Sequence, residues 1–315
     1  MSLTSFVELP VNKKNKYWGA TKMAKRIDSK TSRTAQWTCT CRVISFLETN
    51  EQYHSDDYVS LLIVPSFLKG MFKFSFGRRC FVNLTAKGIY EYVIARTKYI
   101  DSEFTNTLKE GCDQVLIFGA GFDSRGIRFP DLAQNTRIFE LDVPITQNAK
   151  IGRYKEKGIK TPENLIFVPI DFEKQSIAER LNESGFIKGQ KCLFILEGLI
   201  MYLQPEALER TFRIIQEYAG PGSKIIFDYI YASVLRKENL YYGEQDMVRR
   251  VSKAKEAWVF GIEKGKIKEF LAQYGFKMLD HSDSNDLEQK FFKDKDGKIT
   301  GRVNGTHCLV TAVKR

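Results

Sequence analysis

Four short stretches of the 315-residue chain place glycines and carboxylates at intervals suited to holding a small ligand. In Val115-Leu-Ile-Phe-Gly-Ala-Gly-Phe-Asp-Ser-Arg125 an apolar run ends in Gly119 and Gly121. There the backbone can turn sharply and approach a ligand without Cβ clashes. Asp142 follows some twenty residues later, at the end of a second apolar run, where a carboxylate can accept both hydroxyl hydrogen bonds of a ribose. Glu140 lies two residues earlier, points the same way along a strand, and competes for that role. Asp171-Phe172 follows a third run, an acid and a ring suited to the amino group and face of a purine. Glu197 follows a fourth, where the far end of such a ligand would lie. The third glycine of a dinucleotide fingerprint would fall at Ser124, which argues against a pyrophosphate-containing cofactor and so against a nicotinamide oxidoreductase.

These residues act together only if their runs are adjacent strands. Gln114–Phe118, Thr136–Leu141, Asn164–Pro169, Lys191–Leu196 and Ser223–Asp228 are short apolar runs. They are separated by helix-like spacers such as Glu173–Ser184 and Glu206–Ala219. That alternation predicts a parallel sheet covered on both faces, a doubly wound α/β fold whose ligands bind at the carboxyl ends of the strands. Residues 1–110 show no succession of strands, and helices are expected at Thr34–Leu47 and Thr85–Arg96. Residues 230–265 break the rhythm and read as a helical insertion after the fifth strand. Lys264–Tyr274 should be a helix stopped by Gly275. Phe276–His281 and His307–Val313 complete the sheet, and the polar stretch 282–301 reads as a long hairpin connection turning at Asp296-Gly297. The expected organisation is residues 1–110 as basic arm and helical cap, with 111–315 as the α/β core, in one structural unit.

The composition, 43% hydrophobic and 28% charged, is that of an ordinary globular protein. No run of about 18 uncharged apolar residues occurs, so no membrane-spanning helix is expected. The N-terminus lacks the pattern of a secretory signal, which favours a cytoplasmic protein. The six cysteines are scattered and read as buried free thiols, with no metal site. Residues 1–42 carry nine Lys and Arg against two acids, out of a net charge of +11 for the chain. Such an arm can meet nucleic acid or an anionic surface. No nucleic-acid motif accompanies it, so a solvated leader is favoured and nucleic acid is not the expected partner.

Gly119-Ala-Gly-Phe-Asp-Ser-Arg125, Phe139-Glu-Leu-Asp-Val-Pro144 and Leu196-Glu-Gly-Leu-Ile-Met-Tyr202 resemble the leucine carboxyl methyltransferase family, from about Thr34 to the C-terminus. The resemblance implies a seven-stranded, Rossmann-like class I methyltransferase sheet with an N-terminal helical cap and an insertion over the active site. It implies S-adenosylmethionine as cofactor. Gly119, Gly121 and Asp123 match the cofactor loop. Asp142 matches the ribose acid and is thereby favoured over Glu140. Asp171 and Phe172 match the adenine end, and Glu197 an acid near the amino group. Arg96, and less securely aligned Arg42, match bases that pair with the methionine carboxylate.

The expected reaction is methyl transfer to a carboxylate or hydroxyl of a small-molecule acceptor. The alternatives are a protein C-terminal carboxylate as acceptor, or a ligand-binding module without turnover. A carboxylate needs no base, whereas a hydroxyl does. Tyr202 is the candidate on the acceptor side. His54 is a second possibility, and His307, in a strand, reads as structural. The rings of the insertion, Tyr229, Tyr231, Tyr241, Tyr242 and Trp258, could line an acceptor pocket or pack the insertion onto the core.

Overall fold

The computed structural model describes residues 31–172, 174–254 and 257–315, so most of the basic arm lies outside the described residues. Among the described residues five helices precede the sheet: α1 (Arg33–Phe46), α2 (Tyr58–Ile63), α3 (Ser66–Phe72), α4 (Ser75–Asn83) and α5 (Ile89–Lys109). The alternation then runs β1 (Gln114–Phe118), α6 (Arg125–Arg128), β2 (Arg137–Asp142), α7 (Pro144–Glu156), β3 (Leu165–Pro169), α8 (Ile177–Glu183) and β4 (Cys192–Leu196). After a 3₁₀ turn at Ile200–Tyr202 come α9 (Pro205–Tyr218), β5 (Lys224–Ile230), α10 (Ala232–Leu235), α11 (Glu244–Ala254) and α12 (Ile267–Gln273). The chain ends with β6 (Phe276–Ser282), α13 (Ser284–Phe291) and β7 (His307–Lys314).

The seven strands form one sheet in the order β3-β2-β1-β4-β5-β7-β6. The first five are parallel, and β7 inserts antiparallel between β5 and β6. β1 and β4 are buried along their whole length, as their unbroken apolar runs require of strands covered on both faces. The chain proceeds from β1 outward to β3, then crosses back to β4 on the other side of β1. The carboxyl ends of β1 and β4 therefore flank the switch point, where an open α/β sheet leaves a crevice. Helices seal both faces. α9 buries Leu208, Thr211, Phe212, Ile215 and Tyr218, three and four residues apart, and opens with Pro205 at its first turn.

Several boundaries differ from the sequence expectation. α5 starts at Ile89, because Gly88 has φ +71 and so ends the preceding turn, and it runs thirteen residues beyond Arg96. α2, α3 and α4 are too short for a periodic pattern to show. The connection between the last two strands is not a bare hairpin. It holds α13, started by a capping box in which Asp283 and Asp286 satisfy each other's backbone N–H groups. That helix buries only Leu287, so its apolar signal is weak. The turn at Asp296-Gly297 is present, with Gly297 at φ +83 and Lys293 bridging to Ile299. Gly275, at φ +76, caps α12 as expected.

Candidate active site

The loop after β1 is held in a fixed shape. Gly119 and Gly121 have φ +60 and +52, where a side chain would be strained. A Cβ at Gly121 would lie 3.0 Å from the Ala35 Cβ, and one at Gly119 3.2 Å from the Leu199 side chain. Ala120 N–H donates to the Leu141 carbonyl, and Gly121 N–H donates to the Asp142 carboxylate. Asp142 also accepts from Val143 N–H at 2.6 Å. Loop and acid are thus one unit, each carboxylate oxygen taking a backbone N–H. Burial pushes the Asp142 carboxyl up to about 6, against the lowering effect of those two N–H groups. Its rival has a different fate. Glu140 is buried against Lys150 Nζ at 2.5 Å, and burial raises it to about 7 despite that cation. Asp142 lines the cavity described below, and Glu140 does not.

The elements before the sheet connect to this loop through a buried ionic network. Arg42 donates from Nε to Asp57 at 2.7 Å and from Nη2 to the Phe122 carbonyl at 2.7 Å. Asp57 also accepts from Ser60 N–H at 3.0 Å and from the Ser124 hydroxyl at 2.7 Å. Burial alone would raise Asp57, but Arg42, Arg128 and the two hydroxyls hold it far below the usual carboxylate range. Asp101 bridges Arg125, at 2.7 Å, and Arg128, at 2.7 and 2.8 Å. Arg125 also donates to both Asp123 and Glu197, the latter at 2.9 Å. Arg96 donates to Asp228 at 2.8 Å, and Asp228 accepts in addition from Tyr92 at 2.7 Å and Gly198 N–H at 2.5 Å. Burial opposes ionisation of Glu197, yet Arg96, Arg125 and Arg42 bring it down to about 2. Five carboxylates (Asp57, Asp101, Asp123, Glu197, Asp228) face four guanidiniums (Arg42, Arg96, Arg125, Arg128). The cluster keeps net negative charge, an environment that suits a bound cation.

A cavity of about 600 Å³ opens along this wall, within the usual range for small-ligand sites. It is lined by Gly119, Gly121, Asp123, Asp142, Asp171, Phe172, Glu197, Arg42, Arg96 and Tyr202. The residues that the resemblance matched to the cofactor site, together with Tyr202, therefore line one space. Asp171 is partly exposed and paired with Lys174 at 2.8 Å, and Phe172 sits 6.3 Å from the Phe118 ring. Arg96 Nε is buried and lies 3.0 Å from Glu197 Oε1, but it is not aligned for a hydrogen bond.

A second part of the cavity wall is aromatic and comes from elements far apart in sequence. Trp37 of α1, Tyr92 of α5, Trp258, His307 of β7 and Met247 of α11 line it, and the exposed Arg33 and Arg250 stand at its edge. The Tyr202 hydroxyl lies beside Thr34 and Trp258, and burial raises its pKa. The remaining insertion rings pack rather than line the cavity. Tyr231 stacks on Tyr241 at 4.7 Å, Tyr229 sits edge-on to Tyr231, and Arg302 covers Tyr242. His54 is also outside; its Nδ1 lies 3.2 Å from the Glu48 carbonyl.

His307, read from the sequence as structural, lies in the cavity wall, stacked on Tyr92 at 4.4 Å and edge-on to Trp258 at 5.3 Å. Its tautomer follows from a chain of bonds. Asn304 Nδ2 donates to the Lys87 carbonyl, so Asn304 Oδ1 is an acceptor. The Thr306 hydroxyl donates its single proton to that oxygen at 2.6 Å. The 2.7 Å contact between Thr306 Oγ1 and His307 Nδ1 is then a bond donated by Nδ1–H. Nε2 carries the lone pair. Burial lowers the imidazole pKa to about 4, against the opposing pull of Asp228, so the ring is neutral at pH 7.

This strand order, with a glycine loop after β1 and a carboxylate after β2 on one cavity, defines the class I methyltransferase fold. Within that class the chain belongs to the leucine carboxyl methyltransferase family, whose model matches residues 35–216. A relative from Bacillus subtilis (strain 168), provisionally named S-adenosyl-L-methionine-dependent methyltransferase YktD, is 28% identical over 66% of this chain and 68% of its own length. A Mycobacterium tuberculosis (strain ATCC 25618 / H37Rv) relative with the same provisional activity, Rv3767c, is 31% identical over half of each chain. The crystal structure of a DUF574 family protein from Streptomyces avermitilis superposes with a TM-score of 0.57 at 15% identity. It covers 92% of this chain and 100% of that one, a likeness of fold. The chain is an S-adenosylmethionine-dependent methyltransferase.

Proposed function

We propose that the protein transfers the methyl group of S-adenosylmethionine to an oxygen of a small-molecule acceptor. One observation carries this reading. A single cavity of about 600 Å³ is lined both by the charged residues at the strand ends and by Trp37, Tyr92, Tyr202 and Trp258, with His307 among them. The residues fit the cofactor. A Cβ at Gly119 or Gly121 would be strained by the positive φ and crowded by Leu199 or Ala35, Arg96 Nε is a buried donor without an aligned acceptor, and the local charge favours a cation. Asp142 would take the ribose hydroxyls, Asp171 and Phe172 the adenine, and Glu197, Arg96 and Arg42 the amino-acid end. Arg42 would act partly through the Phe122 carbonyl and Asp57, which already occupy two of its nitrogens.

The bound cofactor supplies an electrophilic methyl group on a sulfonium. The protein's share is to orient the acceptor oxygen and to exclude water, and Trp258 and the α11 side chains over the cavity serve both. A carboxylate acceptor arrives ionised and needs no proton removed. A hydroxyl acceptor would donate to His307 Nε2, and Tyr202 would position it from the side. The free cysteines, five of them buried, fit a reducing compartment, and we place the enzyme in the cytoplasm.

Methyl-labelled cofactor incubated with panels of small carboxylic acids and hydroxylic compounds tests the reading. Labelled ester, released as methanol by mild alkali, or alkali-stable methyl ether is the expected product. Label found only on nitrogen, or only on protein, would overturn it.

A further inference from the structure

We propose that the face formed by α3 and α4 docks this protein on an anionic lipid surface. Phe67, Phe74 and Phe76 are 73%, 68% and 76% exposed, and Leu84, at the end of α4, is 72% exposed. Met71, one turn after Phe67, is also exposed. Large rings stand clear of a folded surface rarely in such density, and contiguous apolar patches mark interaction sites. Gly77 brings the two helices together: a Cβ there would strike the Met71 carbonyl at 2.2 Å. Phe72 and Phe81 fill the space beneath, 5.5 Å apart and edge to face. The apolar side chains above are therefore presented by a packed pair of helices.

Charge identifies the partner. From Tyr58 to Tyr90 the chain contains no Asp or Glu, but has Lys69, Lys73, Arg78, Arg79 and Lys87. Arg78 is turned inward to Glu48, whereas Lys73 and Arg79 are exposed among the rings. A second copy of the chain is a poor occupant, because a two-fold interface would set these cations against themselves with no acid between. The chain's own first thirty residues are basic as well and would meet the same repulsion. Nucleic acid has the right charge and could stack on the Phe rings, but it would leave the aliphatic Met71 and Leu84 unused, whereas an acyl-chain boundary takes rings and aliphatic side chains alike. Exposed aromatic and aliphatic side chains with interleaved cations, the neighbouring Glu48 and Glu156 being paired with Arg78 and Lys157, match the headgroup region of an anionic bilayer. No helix of the described residues is long and apolar enough to cross a membrane, so the contact is peripheral. Leu84 is followed by Thr85 and Ala86, which line the active-site cavity. The same face thus leads from the lipid surface toward the site where an acceptor would bind.

Vesicle flotation of the full-length protein tests the proposal, with S-adenosylhomocysteine binding as the check that each variant is folded. The protein should float with vesicles of phosphatidylglycerol and phosphatidylcholine and stay behind with phosphatidylcholine alone. Phe67→Ser/Phe74→Ser/Phe76→Ser should abolish flotation. Lys73→Gln/Arg79→Gln should weaken it on the order of twentyfold, about fivefold per charge, as should raised salt. Equal flotation with both vesicle types would overturn the charge argument and the proposal with it. So would a concentration-dependent dimer in sedimentation that the triple-Ser variant loses while neither protein floats. Binding to single-stranded RNA, lost in the triple-Ser variant and without flotation, would likewise overturn it.

Discussion

At the scale of single residues, the proposed function gives two buried groups control over what the cavity binds and when. Asp142 is held near 6 by burial, and it must be ionised to accept hydroxyl hydrogen bonds. Cofactor affinity should therefore fall as pH drops below about 6, a loss that calorimetry between pH 5 and 8 would record as proton-linked binding. Asp142→Ala should weaken binding by roughly 1–3 kcal/mol and remove that pH dependence; an unchanged affinity would return the ribose role to Glu140. The sign for stability is opposite. Because the folded pKa is raised, ionisation of Asp142 costs the unliganded fold stability as pH rises from the unfolded value through 6. His307 presents a lone pair that Thr306 and Asn304 orient. For a hydroxyl acceptor, His307→Gln should lower kcat by roughly 10²–10⁴-fold while leaving S-adenosylhomocysteine affinity unchanged. A kcat within twofold of the wild type would remove His307 from the chemistry. Between pH 6 and 8 its protonation should leave no inflection in the rate, since its pKa is near 4.

At the scale of elements, the junction between the helices before the sheet and the loop after β1 is the fragile point. Asp57, at the start of α2, is the shared partner of Arg42 from α1 and of Ser124 and Arg128 from the loop and α6. Asp57→Ala would leave two buried guanidiniums under-compensated, and should cost about 3–5 kcal/mol in denaturant unfolding. Asp57→Asn keeps the shape and part of the bonding and should cost less. Gly121→Ala forces a side chain into the left-handed region and against Ala35, so it should lose about 1–2 kcal/mol of stability and most cofactor affinity. These couplings were largely illegible in the sequence. Asp57, Asp101 and Asp228 lie 15, 59 and 186 residues from Arg42, and each reads alone as a surface acid. Arg125 and Arg128 carried a faint signal, because Arg125 closes the loop motif. His307 reads as structural in the sequence, and that it also lines the cavity was not legible there, because a strand position says nothing about which end of the strand opens on a cavity.

At the scale of the whole molecule, the cavity is closed by parts drawn from both ends of the chain, so ligand binding should stabilise it as one unit. S-adenosylhomocysteine at about 100 times its dissociation constant should add about 2.7 kcal/mol, seen as a thermal shift and as protection of residues 31–110 together with the sheet. A shift confined to the sheet would separate the helices before β1 from the cofactor site. We propose, on this basis, that residues 31–110 of the expected 1–110 segment and residues 111–315 function as one structural unit.

Local rules determined a good deal here. Apolar runs covered on both faces have to become parallel strands, so β1 to β5 could be read within a few residues of their ends. Glycines at a strand end have to turn, so the cofactor loop could be read as well. Spacing alone left Asp142 and Glu140 even, because the two side chains alternate with the same period, and the resemblance favoured Asp142; the tertiary structure adds what packs on them, Lys150 covering Glu140 while the cavity faces Asp142. The acceptor side was decided there too. Trp37, Tyr92, Trp258 and His307 span 270 residues of sequence and share no spacing rule. Only the tertiary structure, which brings α1, α5, the insertion and β7 to one cavity, puts them in its lining.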